Sequence, residues 1–168
     1  GQIIDQFILN PVSDLVAAGE KIKLPVTVLD KNGNVVTNAD SLNSKKNNKN
    51  IDVMISGPYA QNENPNEKFV NDGGNIYLEL SAPSNSGVVY VSIISESKKP
   101  SNSQFINIRE AAYPKVLNGI ASNQNTLIFN QLSIELDAGS FIVEDQYGRP
   151  ISKDSLNNML AKGYQIEA

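Results

Sequence analysis

The 168 residues contain no cysteine, no histidine and no tryptophan. Without cysteine there is no thiol nucleophile and no thiolate zinc site, and without histidine no imidazole acid–base pair. The joint absence of cysteine and tryptophan also removes the Cys-Trp-Cys core of antibody-type domains. Cysteine content leaves the compartment open, because some exported proteins fold without disulfides. A basic surplus is missing too: 14 Lys and Arg stand against 18 Asp and Glu, a formal net charge of −4. That balance excludes the basic face that nucleic acid or an anionic membrane selects, so neither is expected as a partner. No run reaches the roughly 18 apolar residues that cross a bilayer, and Gly1 opens no charged and apolar leader; a mature, soluble polypeptide is expected.

What is present is alternation with period two, the mark of strands with one buried face. Ile22, Leu24, Val26 and Val28 point one way and Lys23, Pro25 and Thr27 the other; Ile51, Val53 and Ile55 alternate with Asp52, Met54 and Ser56; Ile76, Leu78 and Leu80 with Tyr77 and Glu79. Further strands are expected at Gln6 to Leu9, Val88 to Ile94 and Gln104 to Ile108. Turn residues separate them at Asn32-Gly33, Gly57-Pro58, Asp72-Gly73-Gly74, Pro83 to Gly87 and Lys98 to Ser103. Six or seven short strands in the first 110 or so residues, with no convincing amphipathic helix, predict an all-β, antiparallel sandwich. Pro25 cannot donate to a ladder, so its strand is expected at a sheet edge. Alternation stops around Arg109 to Pro114, a linker-like stretch, and resumes at Thr126 to Phe129, Leu132 to Leu136 and Phe141 to Val143. A first domain over 1–111 and a second unit over 112–168 follow.

The two halves share a pattern. Val26-Thr27-Val28-Leu29-Asp30-Lys31-Asn32-Gly33-Asn34-Val35-Val36 matches Phe141-Ile142-Val143-Glu144-Asp145-Gln146-Tyr147-Gly148-Arg149-Pro150-Ile151. Downstream, Asp40-Ser41-Leu42-Asn43 recurs as Asp154-Ser155-Leu156-Asn157, and Asn50-Ile51-Asp52 as Gln165-Ile166-Glu167. Asp30 precedes Ile51 by 21 positions, as Asp145 precedes Ile166, and the repeat length is 115. That is one sandwich domain plus a linker and too long for a solenoid unit. In Asp-x-x-Gly the carboxylate accepts backbone N–H groups in an Asx-turn and the glycine takes a positive φ. With Asp145-Gln146-Tyr147-Gly148-Arg149-Pro150-Ile151 as its clearest copy, the chain resembles the bacterial Ig-like domains of S-layer and other Gram-positive cell-surface proteins. The first copy lacks the Tyr and Pro. This resemblance implies an Ig-like fold, an extracellular, cell-surface location and a structural, spacer or assembly role. It implies neighbouring domains or protomers of the same surface protein as partners. The alternative is an adhesin or carbohydrate-binding accessory module recognising cell-wall or host glycan.

Aligned on the first unit, Ala168 falls near Val53, so the second Ig-like unit is expected to be incomplete, either truncated or completed by strands of a partner. The stretch from Asp154 to Gly163 predicts one or two helical turns, capped by Asp154 or Ser155; the stretch after Asp40 is poorer in apolar residues and expected to be more mobile. Asp30, Asn32 and Asn34 open like a calcium loop, but Gly33 sits at the fourth place and Ser41 at the twelfth, which excludes an EF-hand. By the resemblance, Asp30 and Asp145 remain candidate calcium ligands, with Asp5 and Asp154 as further carboxylates. No catalytic residues or other cofactor are expected: Asp52, Glu79 and Glu135 fall on the outward phase of strands, where solvated charge is the ordinary reading. Lys45 to Lys49 reads as a solvated loop, and the scattered tyrosines 59, 77, 90, 113, 147 and 164 as core or linker packing. Loops Gln61 to Lys68 and Asn71 to Asn75 are the expected ligand contacts if the module binds glycan.

Overall fold

In the computed structural model, which describes residues 2–118 and 142–163, the alternating segments of the first half pair into two four-stranded sheets. Their strands are β1 (Ile4–Leu9), β2 (Val16–Ala17), β3 (Lys21–Asp30), β4 (Asp52–Ser56), β5 (Lys68–Asp72), β6 (Asn75–Ser81), β7 (Gly87–Ile94) and β8 (Gln104–Arg109). One sheet has the order β1-β3-β6-β5 and the other β2-β8-β7-β4. Every pairing is antiparallel except that of β2 with β8. With β1, β3, β6 and β5 as strands A, B, E and D, and β8, β7 and β4 as G, F and C, this is the strand arrangement of an Ig-like β-sandwich.

The inward phase of each strand supplies the core. Ile22, Leu24, Val26 and Val28 of β3 and Ile76, Leu78 and Leu80 of β6 face Val89, Val91 and Ile93 of β7 and Ile106 and Ile108 of β8, all buried. Phe7 of β1 stacks on Phe69 of β5 with ring centroids 5.8 Å apart.

Two strands escape the alternation rule: β2 is only two residues long, and β5 carries a single buried side chain, Phe69, among polar neighbours. Pro25 is a correction of another kind. Its strand is central, paired on both sides. The proline is tolerated because its carbonyl accepts from Asn10 N–H at 2.9 Å, just past the last residue of β1. A strand residue's N and O point the same way, so the missing donor falls where the β1 ladder has run out.

Between β3 and β4 lies a helix, α1 (Ala39–Asn47), where the stretch after Asp40 was expected to be mobile and Lys45 to Lys49 a solvated loop. Asn38 caps it by accepting Ser41 N–H at 3.0 Å, and Leu42 is fully buried. One fully buried residue, with Ala39 partly buried against the core, suffices because Asn43 and Asn71 supply polar anchorage to β5 and Thr37.

The chain forms two compact units, Gly1–Ala111 and Ala112–Ala168. In the second, β9 (Pro114–Asn118), β10 (Ile142–Asp145) and β11 (Pro150–Ile151) make an antiparallel sheet of order β11-β10-β9, followed by α2 (Lys153–Ala161). The stretch read as a linker therefore leads directly into a strand. The expected strands at 126–129 and 132–136, and the repeat at 165–167, lie outside the described residues. Ser152, one residue before α2, accepts Ser155 N–H at 3.2 Å, displacing Asp154 and Ser155 from the expected capping role.

Substituting Leu42→Ala is expected to cost about 2–5 kcal/mol, because the cavity opens beneath α1 in a closed core. Urea unfolding of the full chain measures it; a loss below about 0.5 kcal/mol would mean that α1 is not anchored as described.

Candidate interaction surface

The repeated Asp sits in the same local geometry twice. Asp30 and Asp145 are only 4% and 3% exposed, at the ends of β3 and β10. Asp30 Oδ1 accepts the N–H groups of Asn32 and Asn34, each at 2.9 Å, and Asp145 Oδ1 those of Tyr147 and Arg149, each at 2.9 Å. The main chain adds the same two bonds in each turn: Gly33 N–H to Asp30 O and Asp30 N–H to Asn34 O, matched by Gly148 to Asp145 and Asp145 to Arg149. Gly33 and Gly148 hold φ of 80° and 78°, which a side chain would resist. The second copy adds a countercharge, since Arg149 Nε donates to Asp145 Oδ2 at 2.8 Å while its guanidinium lies over the Tyr147 ring.

Calcium asks for about six to eight oxygen ligands around one point. Each of these carboxylates instead aims Oδ1 at its own turn's donors. Among the described residues no three acidic side chains gather into a cluster. Asp5 accepts from Ser97 Oγ at 2.6 Å and Lys99 Nζ at 3.0 Å, and Asp154 is exposed in the first turn of α2. The turns satisfy the buried charge from within.

The two outer faces of the sandwich differ. On β3, β5 and β6, Lys23 pairs with Asp72 and lies over the Tyr77 ring, and Lys68 faces Glu79 at 3.9 Å. The opposite face presents Met54 of β4, Tyr90 of β7 and Phe105 of β8, which are 41%, 46% and 64% exposed. Tyr90 and Phe105 are directly paired across the strands and meet edge-on, centroids 5.0 Å apart. Tyr90 is thus no packing residue, as the scattered tyrosines were expected to be. Period-two alternation marked its phase as outward, and Phe105 on the next strand completes the signal.

The two loops expected to touch ligand do not converge. Strand β5 starts at the end of one and turns into β6 through the other, so they lie at opposite ends of a five-residue strand. Residues 61–68 are also committed to structure: Glu63 accepts Ala60 N–H and Ser84 N–H and Oγ–H, Pro65 O accepts Ser81 N–H, and Tyr59 Oη donates to Ser81 O at 2.6 Å. Burial, with Glu63 and Glu67 nearby, pushes the Tyr59 hydroxyl up to about 12. An open cleft of about 530 Å³ runs along β5 between Thr37, Asn43 and Asn71, with Asp40 and Lys68 as its charged lining.

No family model and no curated protein matches the chain. Among solved structures it is similar to domains 4–9 of the surface layer protein SbsC, at 15% identity over 89% of this chain and 24% of that one, with a TM-score of 0.38. Domains 1–6 of the same protein match at 12% identity over 90% of this chain and 17% of that one, TM-score 0.42. FdeC, an Escherichia coli adhesin, matches at 13% identity over 89% and 44%, TM-score 0.39. The chain thus spans less than half the length of each of these three. Among the described residues no helix is long and apolar enough to cross a membrane.

Three carboxyls tie the fold together electrostatically. Ser97 and Lys99 hold Asp5 below its usual value. Ala60 N–H and Ser84 hold Glu63 down against slight burial. Burial works to raise Glu96, but Lys45 and Ile4 N–H, each 2.9 Å from Oε1, outweigh it and the net shift is downward. A depressed folded pKa contributes stability above the unfolded value and loses it as pH falls through the folded one. The melting midpoint is therefore expected to stay level from neutral pH to about 5 and to fall below about 4.5, with Glu96→Gln flattening the fall. A midpoint that rises on acidification would contradict this.

Removing a buried acceptor of two amides is expected to cost about 2–4 kcal/mol in each of Asp30→Ala and Asp145→Ala, read by denaturant unfolding of the unit concerned. Added calcium is expected to leave both wild-type transitions in place; a rise in either would show an ion site in the turns.

Proposed function

We propose that the chain is an extracellular structural module of a bacterial surface protein, a spacer or assembly unit working through its outer faces and strand borders, with no catalytic role. What carries the reading is that the second unit rebuilds the opening of the first element by element. Ile4 faces Asp30 and Pro114 faces Asp145. In each ladder the incoming strand carries one extra residue beside the Asp, Asp5 in one and Lys115 in the other, a bulge at the same place. Leu29 bridges Val35 as Glu144 bridges Pro150, and a nine-residue helix follows with Leu42 or Leu156 buried. Tandem copies of one module repeat a shape, and repeated shape serves reach and contact with neighbouring copies. The exposed Met54, Tyr90 and Phe105 on the outer face of β4, β7 and β8 support contact as the mode of action.

A second reading, a glycan-binding accessory module, is favoured by the exposed Tyr90–Phe105 pair with Ser56 and Asn107 beside it. Sedimentation velocity over a wide concentration range separates the two. Assembly predicts a weight-average mass that climbs with concentration. A chain that stays monomeric throughout and binds immobilised glycan, with binding lost in Phe105→Ser, would replace the first reading by the second.

A further inference from the structure

Of the four borders of the sandwich, three are closed by side chains that take the place of a neighbouring strand. On β1, Asn102 accepts Leu9 N–H through Oδ1 and donates Nδ2 to Leu9 O, both at 2.8 Å, and Glu96 takes Ile4 N–H. On β5, Asn43 does the same to Phe69, accepting its N–H and donating to its carbonyl at 2.8 Å each. An amide side chain that makes both bonds of a ladder residue leaves no room for another chain. The third border is β2, where Glu20 accepts Ala17 N–H at 3.0 Å and only two residues are extended.

The fourth border, β4, has no such cover. Among the described residues no side chain or loop backbone bonds to Asp52 through Ser56. Packing agrees with the hydrogen-bond count. Val53 and Ile55 point into the sandwich yet are only half-buried, whereas their partners on β7, Ile93 and Val91, are fully buried. The side chains are open to water from the edge. Met54, on the outer face, is more exposed still. A bare, apolar strand edge is a template for pairing, and domains that must remain apart usually block it, as this one blocks its other three.

We propose that β4 is a self-association edge, pairing antiparallel with β4 of a second copy about a two-fold axis at Met54, so that two four-stranded sheets join into one of eight. The sequence of β4 suits this partner. Centred on Met54, the pairing sets Met54 against Met54, Val53 against Ile55 and Asp52 against Ser56, so the strand's one charge never meets its twin. Each residue also keeps its face: Val53 and Ile55 cover each other on the core side, and the methionines join on the outer side. At the start of β4 a cleft of about 480 Å³, lined by Ile51, Val53 and Ile94 with Asp52, Glu67 and three lysines around them, receives the partner's uncharged Ser56 end. Five residues make a small contact, below the size of a stable dimer interface, so single chains pair weakly and repeated copies gain from being linked.

This inference rests on the assembly reading and has its own test. The chain has no cysteine, so single cysteines report proximity without background. Directly opposed residues of antiparallel strands have Cα atoms about 4.5–5.5 Å apart, within disulfide reach. In full-length protein under mild oxidation, Met54→Cys is expected to form disulfide dimers at least about tenfold faster than Val35→Cys, an exposed site elsewhere. Phe105→Cys distinguishes the geometries. It lies two strands in from β4, so edge pairing holds the two copies roughly 24 Å apart, five strand spacings. Preferential crosslinking of Phe105→Cys would overturn edge pairing in favour of face-to-face stacking and leave assembly standing. Equal rates at all three sites would also overturn it, and monomeric sedimentation as well would take the assembly reading down with it.

Discussion

A buried carboxylate that accepts two amides of its own turn is the constraint from which the rest of this structure follows. Asp30 ends β3, and its turn sends the chain back so that Val35 bridges Leu29 and Val36 reaches the core. Asn38 then caps α1, whose Leu42 and Asn43 close the core and the β5 border. Misplacing the turn by one residue would flip Val36 and everything after it to the wrong side. A charge can be buried there because its partners are main-chain donors fixed by the turn itself, so no distant group has to be brought in. Asp145 repeats the arrangement and adds Arg149.

In the first unit the two faces and four borders are treated differently. Ion pairs cover one face and aromatic side chains the other. Amides seal two borders and Glu20 a third, while among the described residues nothing bonds to the free edge of β4. In the loops at either end of β5, Glu63, Asn64 and Asn71 hold backbone groups.

Much of the fold was legible because the core strands obey one rule. In β3, β6 and β7 every second residue is apolar and buried, and glycine or asparagine marks the turns between them. The repeat was legible for a stricter reason, since a buried Asp and a positive-φ Gly must keep their spacing for the turn to close. What escaped was structure held by polar side chains. Helix α1 buries one side chain in nine, and β5 one in five; Asn43, which joins them, reads in sequence as an ordinary loop residue. Pro25 misled because a missing donor was equated with an edge, when the end of a neighbouring strand serves equally well. Alternation places Met54 and Tyr90 on the outward phase, but their nearness to Phe105 depends on strand order.

Amide hydrogen exchange, residue by residue, tests the organising role of the Asp turns most directly. Asn32, Asn34 and Tyr147 lie in turns, where amides ordinarily exchange quickly. If the buried carboxylates hold them as described, their amides exchange as slowly as those of the adjoining strands. Exchange at unfolded-chain rates, beside protected strands, would show that the turns follow from the sandwich rather than set it.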